Sequence, residues 1–187
     1  KLILPWGLGP HLPPHRRYLK GRGFDPEQLE KFWGIRGIGI APKLSWRIWI
    51  PITSHGKTIS WTTRAISETN PRYISTNRIK QTLFGSDHCR HVCIVTEGPF
   101  DAMRIGPGAV ATMGVRVTQA QKALIGKFPV RIVCLDAECE AQKQAKLQFN
   151  GLFAFPGTTT NVVLESAKDA AGADATEIEE LRKKYLT

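Results

Sequence analysis

The chain has 187 residues, enough for one domain of ordinary size or for a domain with a smaller partner packed on it. Its apolar content of 42% is ordinary for a globular protein, and no apolar run approaches the roughly 18 residues of a membrane span. The formal net charge is +10, and residues 1–88 carry 14 Lys or Arg against 5 Asp or Glu. The composition therefore argues against a membrane protein. It fits either a polyanion-binding protein or a merely solvated basic surface.

The first residues, 1–15, are rich in Pro and Gly, and we expect no long regular element there. A basic segment follows at 16–22, which is either part of a polyanion-binding surface or the polar face of a helix. Asp25 is a typical N-cap and Pro26 suits the first helical position. The apolar spacing that follows predicts a short helix ending at Trp33.

Residues 46–66 alternate between apolar and polar side chains and predict a β-hairpin that turns at 55–57. Pro51 indicates an edge strand or a bulge, because proline cannot donate a hydrogen bond to a neighbouring strand. Arg47 and Arg64 would then lie on or beside a small sheet.

The segment after the hairpin, 70–85, is loop-like and combines positive charge with an aromatic ring. Arg72, Tyr73, Arg78 and Lys80 lie close together in it. This combination favours phosphate contacts together with stacking on a base.

The second half predicts alternating strands and helices, which is typical of a parallel sheet covered by helices. The predicted strands are 92–96, 109–113, 130–135 and 160–164, and the predicted helices are 100–105, 118–128, 137–149 and 176–186. The expected fold class is therefore α/β, in which an α+β N-terminal subdomain precedes the parallel sheet.

Two of the predicted strands end in acidic residues. Glu97 follows the first of them, and Asp136 and Glu138 follow the third. Ligands of open α/β sheets bind at the carboxyl ends of the strands, and converging carboxylates repel one another unless a cation lies between them. Mg²⁺ is the cation that this oxygen-rich set favours. The alternative is a pair of strand ends with exposed acids, or, for Glu138, an acid favoured at the start of a helix.

Four cysteines are present, and we interpret them as reduced thiols of a cytoplasmic protein. Cys93 and Cys134 fall in predicted buried strands, where a thiol behaves as a small apolar side chain. The less favoured alternative is a zinc site whose spacing is unusual, made by His88, Cys89, His91 and Cys93.

Several of these motifs together resemble a known family. IVTEGPFD, with Asp101 four residues after Glu97, then GAVATMG and LDAE resemble a Toprim domain, the metal-binding fold of bacterial-type primases, topoisomerases and some nucleases. In the first half, YLKGRGFDPEQLEKFWGI, RIWIPI, PRYISTN and KQTLFG follow the order of the RNA-polymerase core of bacterial and phage primases. SAKDAAG resembles the Lys-Asp segment that closes that core. The resemblance covers roughly residues 16–180.

The resemblance implies a basic primase-like subdomain at 1–88, a Toprim domain at 89–170 and a C-terminal helix at 171–187 that packs on the core. It implies a DNA primase that makes short RNA primers on single-stranded DNA by metal-dependent nucleotidyl transfer, in phage or bacterial replication. Its partners would be the DNA template, nucleoside triphosphates, a replicative helicase and a separate zinc-ribbon module. We expect a cytoplasmic monomer that is a fragment of a longer protein, since Lys1 stands where Met would begin a full chain.

The resemblance also implies roles for individual residues. Mg²⁺, with Mn²⁺ as an alternative, would be held by Glu97, Asp101, Asp136 and Glu138. The catalytic residues would be Glu97, Asp136 and Glu138. The residues that contact nucleotide or nucleic acid would be Arg47, Arg64, Arg72, Tyr73, Arg78 and Lys80.

The sequence departs from the family pattern near the second acidic motif. Glu138 stands where the family has Asp, and Ala141 stands where Gly is expected. The basic residue that precedes the LFG motif in the family is displaced by one position here, so either Arg78 or Lys80 would take that role. Two alternatives to a primase therefore stay open. One is a Toprim-family metal-dependent nuclease, and the other is a non-catalytic nucleic-acid-binding Toprim protein that has lost its metal.

Overall fold

The computed structural model describes residues 2–187, and for Gln148 and Phe149 it describes the backbone only. The chain divides into two compact units, 1–79 and 80–187. The first contains an antiparallel sheet and the second a parallel sheet flanked by helices, which confirms the expected fold class.

The division between the units comes earlier than the predicted limit at residue 88 because residues 80–84 are bonded to the second unit. Phe84 exchanges two backbone hydrogen bonds with Ala111. The Gln121 side chain donates a hydrogen bond to the carbonyl of Thr82. The C-terminal helix belongs to the second unit as well.

The first unit is built on a five-stranded sheet whose spatial order follows the chain. Its elements are β1 (Leu8–Gly9), α1 (Pro13–Gly21), α2 (Pro26–Trp33), β2 (Arg36–Ile38), β3 (Arg47–Ser54), β4 (Lys57–Ala65) and β5 (Tyr73–Ser75). Each strand is antiparallel to its neighbour.

The predicted hairpin is confirmed as β3 and β4. His55 and Gly56 form its two-residue turn with φ of 52° and 72°, the left-handed conformation that such hairpin turns need. The strand β3 is central in the sheet, but β2 pairs with it no further than Trp49. Pro51 therefore lies where β3 has a partner on one side only, and a bulge follows at Ile52/Thr53. The predicted bulge is confirmed, and the edge character of the strand is local.

The basic segment forms most of helix α1, which confirms the interpretation of that segment as part of a helix. A proline in the first turn suits this position because the missing N–H has no partner there in any helix. His15 is fully buried and ties α1 to β2: its Nδ1 accepts from the Leu12 N–H at 3.1 Å, and its Nε2 lies 3.1 Å from the Ile38 carbonyl. Asp25 caps α2 as predicted, accepting from two backbone N–H groups.

The second unit is built on a parallel sheet with the spatial order β7-β6-β8-β9. Its elements are β6 (Val92–Thr96), α3 (Pro99–Ile105), β7 (Ala109–Ala111), α4 (Gln119–Ile125), β8 (Val130–Val133), α5 (Cys139–Leu152), β9 (Thr158–Asn161) and α6 (Ala175–Tyr185). A core of Cys93, Val95, Val110, Ile125, Val133 and Leu152 lies between the sheet and its helices. None of the helices in the described part of the chain combines the length and the apolar character needed to cross a membrane.

Arg131 occupies a core position in β8 and is 1% exposed. The guanidinium donates to Thr159 Oγ1 and to the carbonyls of Phe128, Pro156 and Phe155, at 2.8–3.2 Å. Burial of this charge is tolerable because each nitrogen has a partner. The side chain joins β8 to β9 and to the turn that precedes β9.

Candidate active site

The predicted acidic residues lie at the carboxyl edge of the parallel sheet. Glu97 directly follows β6, and Asp136 lies three residues after β8. These two strands are neighbours and are paired in register up to Val95 and Val133. In the sheet, β7 lies on one side of β6 and β8 lies on the other, followed by β9. The chain therefore first adds a strand on one side of β6 and then on the other, so the strand order reverses between β6 and β8. Such a reversal opens the crevice in which α/β sheets bind their ligands.

Glu97 is half-buried, and its carboxyl group is only partly satisfied. Its Oε1 atom is buried and has no hydrogen-bond partner among the described residues. Burial raises the pKa of Glu97, and the charges of Asp101 and Glu138 add to this, against a hydrogen bond from the Asp136 N–H and the charge of Lys80. The hydrogen bond from Asp136 links the two strand ends directly. An unpartnered carboxylate oxygen at this point is suited to receive a cation or a proton.

Asp136 has the most perturbed carboxyl group of the cluster. Burial raises its pKa to about 7, with further contributions from the charges of Glu97, Asp101, Asp169 and Glu138. These acids therefore act on one another at close range. The cluster is electrostatically unfavourable as a set of free carboxylates, which is the condition that a bound cation relieves.

Asp101 lies in the first turn of α3, and both of its carboxylate oxygens are engaged by backbone groups. Oδ2 accepts from the Gly98 N–H and Oδ1 accepts from the Ala171 N–H, each at 3.0 Å. A Cβ atom at Gly98 would lie 2.8 Å from Oδ2, which explains why glycine follows the glutamate here. This geometry favours a positioning role for Asp101, which ties the 165–174 loop to the site.

Glu138 is exposed and forms an ion pair with Lys168, whose Nζ lies 3.6 Å from its Oε1. The carbonyl of Lys168 also accepts from the Ala137 N–H at 2.7 Å. Asp169 caps its own loop by accepting from the Gly172 N–H at 2.8 Å. The site residues inferred from the sequence did not include Lys168 or Asp169, whereas the structure brings their loop beside the site. The Lys-Asp segment of the primase resemblance was the signal that could have found them.

Lys80 lies on the same edge of the second unit, and its ammonium group is committed to backbone carbonyls. Nζ donates to the carbonyls of Thr112 at 3.1 Å and Arg116 at 2.8 Å. Burial lowers the pKa of Lys80, and the charge of Glu97 opposes this. Lys80 thus fixes the loop after β7, and its assignment to nucleotide contact stays a prediction.

The other predicted nucleic-acid contacts belong to the first unit. Arg47 is buried, and its guanidinium donates to the carbonyls of Pro71 and Arg72, which favours a structural role. Arg64 and Tyr73 are opposite each other on β4 and β5, with the Arg64 guanidinium carbon 4.9 Å from the ring centroid. Arg72 and Arg78 are exposed.

The four predicted carboxylate ligands fit a hard divalent cation in part. Among the described residues, no three His, Cys, Asp or Glu side chains are already arranged to hold a metal ion, and this includes the cysteine and histidine set considered for zinc. Mg²⁺ is commonly held by one or two carboxylates together with substrate phosphates, so such a cage is not required. Glu97, with its orphaned oxygen, and Asp136, with its raised pKa, fit that pattern. The oxygens of Asp101 and Glu138 already have partners.

Comparison with known proteins shows the fold. No family model matches the sequence, and no curated protein matches it. Among solved structures, the Aquifex aeolicus primase (zinc-binding and RNA polymerase domains) aligns with 92% of this chain at 22% identity and a TM-score of 0.79. A DnaG primase catalytic domain bound to single-stranded DNA aligns with 94% at 16% identity and 0.75. The primase fragment of the bacteriophage T7 primase-helicase protein aligns with 89% at 18% identity and 0.67.

The chain therefore has the fold of bacterial and phage primase catalytic cores, as the sequence motifs predicted. It spans 55% of the Aquifex chain, 73% of the DnaG catalytic domain and 71% of the T7 fragment.

Proposed function

We propose that this chain is the catalytic core of a DNA primase, which synthesises short RNA primers on single-stranded DNA by metal-dependent nucleotidyl transfer. The observation that carries the proposal is the pair Glu97 and Asp136 at the reversal of strand order, in a chain whose fold follows primase cores over most of its length. The neighbour solved with single-stranded DNA supports the choice of template.

The proposed reaction joins the 3′-hydroxyl of a primer to the α-phosphorus of a nucleoside triphosphate, and pyrophosphate leaves. Mg²⁺ held by Glu97 and Asp136 would neutralise the phosphate charge and lower the pKa of the attacking hydroxyl. Alternatively, with the metal held by Asp136, Glu97 would accept the proton of that hydroxyl, because burial raises the pKa of its carboxyl group. Asp101 would hold the first turn of α3 and the 165–174 loop in place during this step.

In the first unit, we propose that the exposed cations and Tyr73 contact the nucleic acid. The Arg64 guanidinium over the Tyr73 ring places a charge beside an aromatic surface, which suits a phosphate next to a stacked base. Arg72 and Arg78 would add backbone contacts that carry no sequence preference.

The test is primer synthesis on single-stranded DNA with labelled ribonucleotides, in Mg²⁺ or Mn²⁺ and in EDTA. We expect Glu97→Gln and Asp136→Asn each to reduce product by about 100-fold or more, since each removes a charged group at the reacting centre. Glu180→Gln, an exposed acid of α6, serves as the matched control and should retain activity. Product that survives both active-site substitutions would contradict the assignment of the site.

The Glu138–Lys168 ion pair favours a second candidate, a non-catalytic nucleic-acid-binding protein. An acid that is already paired with a cation holds a metal less readily than a free one. Calorimetric titration with Mg²⁺ and Mn²⁺ separates the candidates: DNA binding without any metal binding would favour the second. Cleavage of the DNA template in place of primer synthesis would instead identify a nuclease.

Further partners are proposed by analogy with the solved neighbours. The Aquifex protein carries a zinc-binding domain beside its polymerase domain, and the T7 fragment comes from a primase-helicase protein. A zinc-ribbon module and a replicative helicase would therefore act with this core. Co-purification of the chain with each candidate module tests this proposal.

A further inference from the structure

The loop that follows β7 is held rigidly at the carboxyl edge of the parallel sheet. Lys80 Nζ donates to the carbonyls of Thr112 and Arg116. Gln121, which is 0% exposed, donates to the Thr112 carbonyl at 2.8 Å. Two buried or half-buried side chains therefore fix the backbone on both sides of the loop.

The same loop is attached to the strand end that carries Glu97. The Gly114 N–H donates to the Glu97 carbonyl at 3.0 Å. Between these contacts, Met113 has a positive φ of 60°, which is unusual for a residue other than glycine. Backbone held in such a conformation is concentrated at functional sites, where the surrounding structure enforces it.

Arg116 is the cation that this rigid loop presents. Its side chain is exposed, and within the described residues it has no ion pair or hydrogen-bond partner. The ammonium group of the neighbouring Lys80 is hydrogen-bonded to backbone carbonyls, and the guanidinium of Arg131 is buried in the core and bonded to carbonyls there. Arg116 is thus an available guanidinium on a loop that is bonded to the strand end carrying Glu97, and guanidinium groups bind phosphate oxygens in a bidentate manner.

We infer that Arg116 binds a phosphate group of the nucleic-acid substrates, either the triphosphate of the incoming nucleotide or a phosphodiester of the template. The inference rests on the proposed function, because that function supplies both phosphate sources. A guanidinium on a pre-formed loop loses less conformational freedom on binding than one on a mobile segment. Arg116 would therefore contribute to substrate affinity rather than to proton transfer.

The experiment measures binding by fluorescence anisotropy with two probes, a labelled non-hydrolysable ATP analogue with Mg²⁺ and a short labelled single-stranded DNA. The variants are Arg116→Gln and Arg116→Lys. Arg90→Gln is the matched control, since Arg90 is also exposed but precedes β6 and so lies at the opposite edge of the sheet. Circular dichroism confirms that each variant is folded.

We expect Arg116→Gln to weaken binding of one probe by about 10- to 100-fold, Arg116→Lys to restore part of it, and Arg90→Gln to have no comparable effect. Loss with the ATP analogue alone assigns the triphosphate, and loss with DNA alone assigns the template. Unchanged affinity for both probes, or an equal loss in Arg90→Gln, overturns the inference. A wild-type chain that binds neither probe would instead count against the proposed function itself.

Discussion

At the scale of single residues, the acidic cluster shows how burial and mutual repulsion prepare a site for a cation. Burial is the main cause of the raised pKa of both Glu97 and Asp136, and the charges of other acids raise each pKa further, Asp101 and Glu138 acting on both and Glu97 on Asp136. In a folded chain without metal, the two charges therefore oppose folding. A bound divalent cation would reverse this cost, because it favours the ionised form of both groups.

We expect the contribution of Asp136 to the stability of the metal-free chain to fall as the pH rises from about 4 to 8. The pKa of Asp136 is raised from 3.8 to about 7 on folding, so its stabilising contribution is complete below the lower value and is lost as the pH rises through the higher one. Asp136→Asn stays neutral, and we expect it to exceed the wild type in unfolding free energy at pH 8 by on the order of 1–2 kcal/mol, after allowance for solvent screening.

Urea unfolding in EDTA, followed by far-ultraviolet circular dichroism, measures this difference. Tryptophan fluorescence is unsuitable because all five tryptophans lie within residues 1–79. The two proteins should converge near pH 4, and Glu180→Gln should follow the wild type throughout. A gap between wild type and Asp136→Asn that is constant with pH would contradict the assigned cause.

At the scale of elements, the loop after β7 depends on a side chain that comes from outside the sheet. Lys80 precedes β6 in the chain, yet its ammonium group closes the loop between Thr112 and Arg116. Thr118, the cap of α4, donates in turn to the Lys80 carbonyl at 2.7 Å. The start of the second unit and the start of α4 are thereby fastened to the same loop.

We expect Lys80→Met to loosen this loop without unfolding the sheet. The substitution keeps the apolar stem and removes two hydrogen bonds, each worth about 1 kcal/mol. Hydrogen exchange measured by mass spectrometry should quicken by about tenfold or more in residues 112–118 and stay unchanged in β8. Lys127→Met, an exposed lysine at the opposite edge, is the control. Equal exchange in both variants would show that Lys80 does not hold the loop.

Elements with strong local signals were predictable from the sequence. The capping residues Asp25 and Thr118 mark the starts of α2 and α4, and each accepts the expected backbone N–H groups. The short strands β1, β2 and β5 were not predicted, because two or three residues carry no periodicity. Their extended form depends on pairing with neighbouring strands, β1 with β2, β2 with β3 and β5 with β4, which is a tertiary effect.

At the scale of the whole molecule, the carboxylate cluster was predictable from the sequence. The strands of a parallel sheet all end at the same edge, so acidic residues that follow two neighbouring strands lie close together. The hydrogen-bond partners of the buried and half-buried cations were not predictable from the sequence. Arg47, Lys80 and Arg131 each donate to at least one backbone carbonyl that is distant in sequence. Charge counts treat these buried cations like exposed ones, so a formal charge of +10 overstates the charge that is free to meet a polyanion.

The remaining exposed cations of the first unit should give DNA binding a strong dependence on salt. Each phosphate neutralised on single-stranded DNA contributes about −0.7 to the slope of log K against log salt concentration. We expect Arg72→Gln, next to Tyr73 and exposed, to make this slope shallower by about 0.7 and to weaken binding several-fold at low salt. Arg47→Gln should leave the slope unchanged if the protein stays folded, because that guanidinium is buried on carbonyls.

Anisotropy titrations over a range of salt concentrations measure both quantities, and Lys31→Gln, an exposed cation of α2, is the matched control. If Arg72→Gln and Lys31→Gln lower the slope equally, the DNA meets only the diffuse positive charge of the first unit. If only Arg72→Gln changes it, the phosphate path runs beside the Arg64–Tyr73 pair, because a specific contact releases its counterion only where the strand lies.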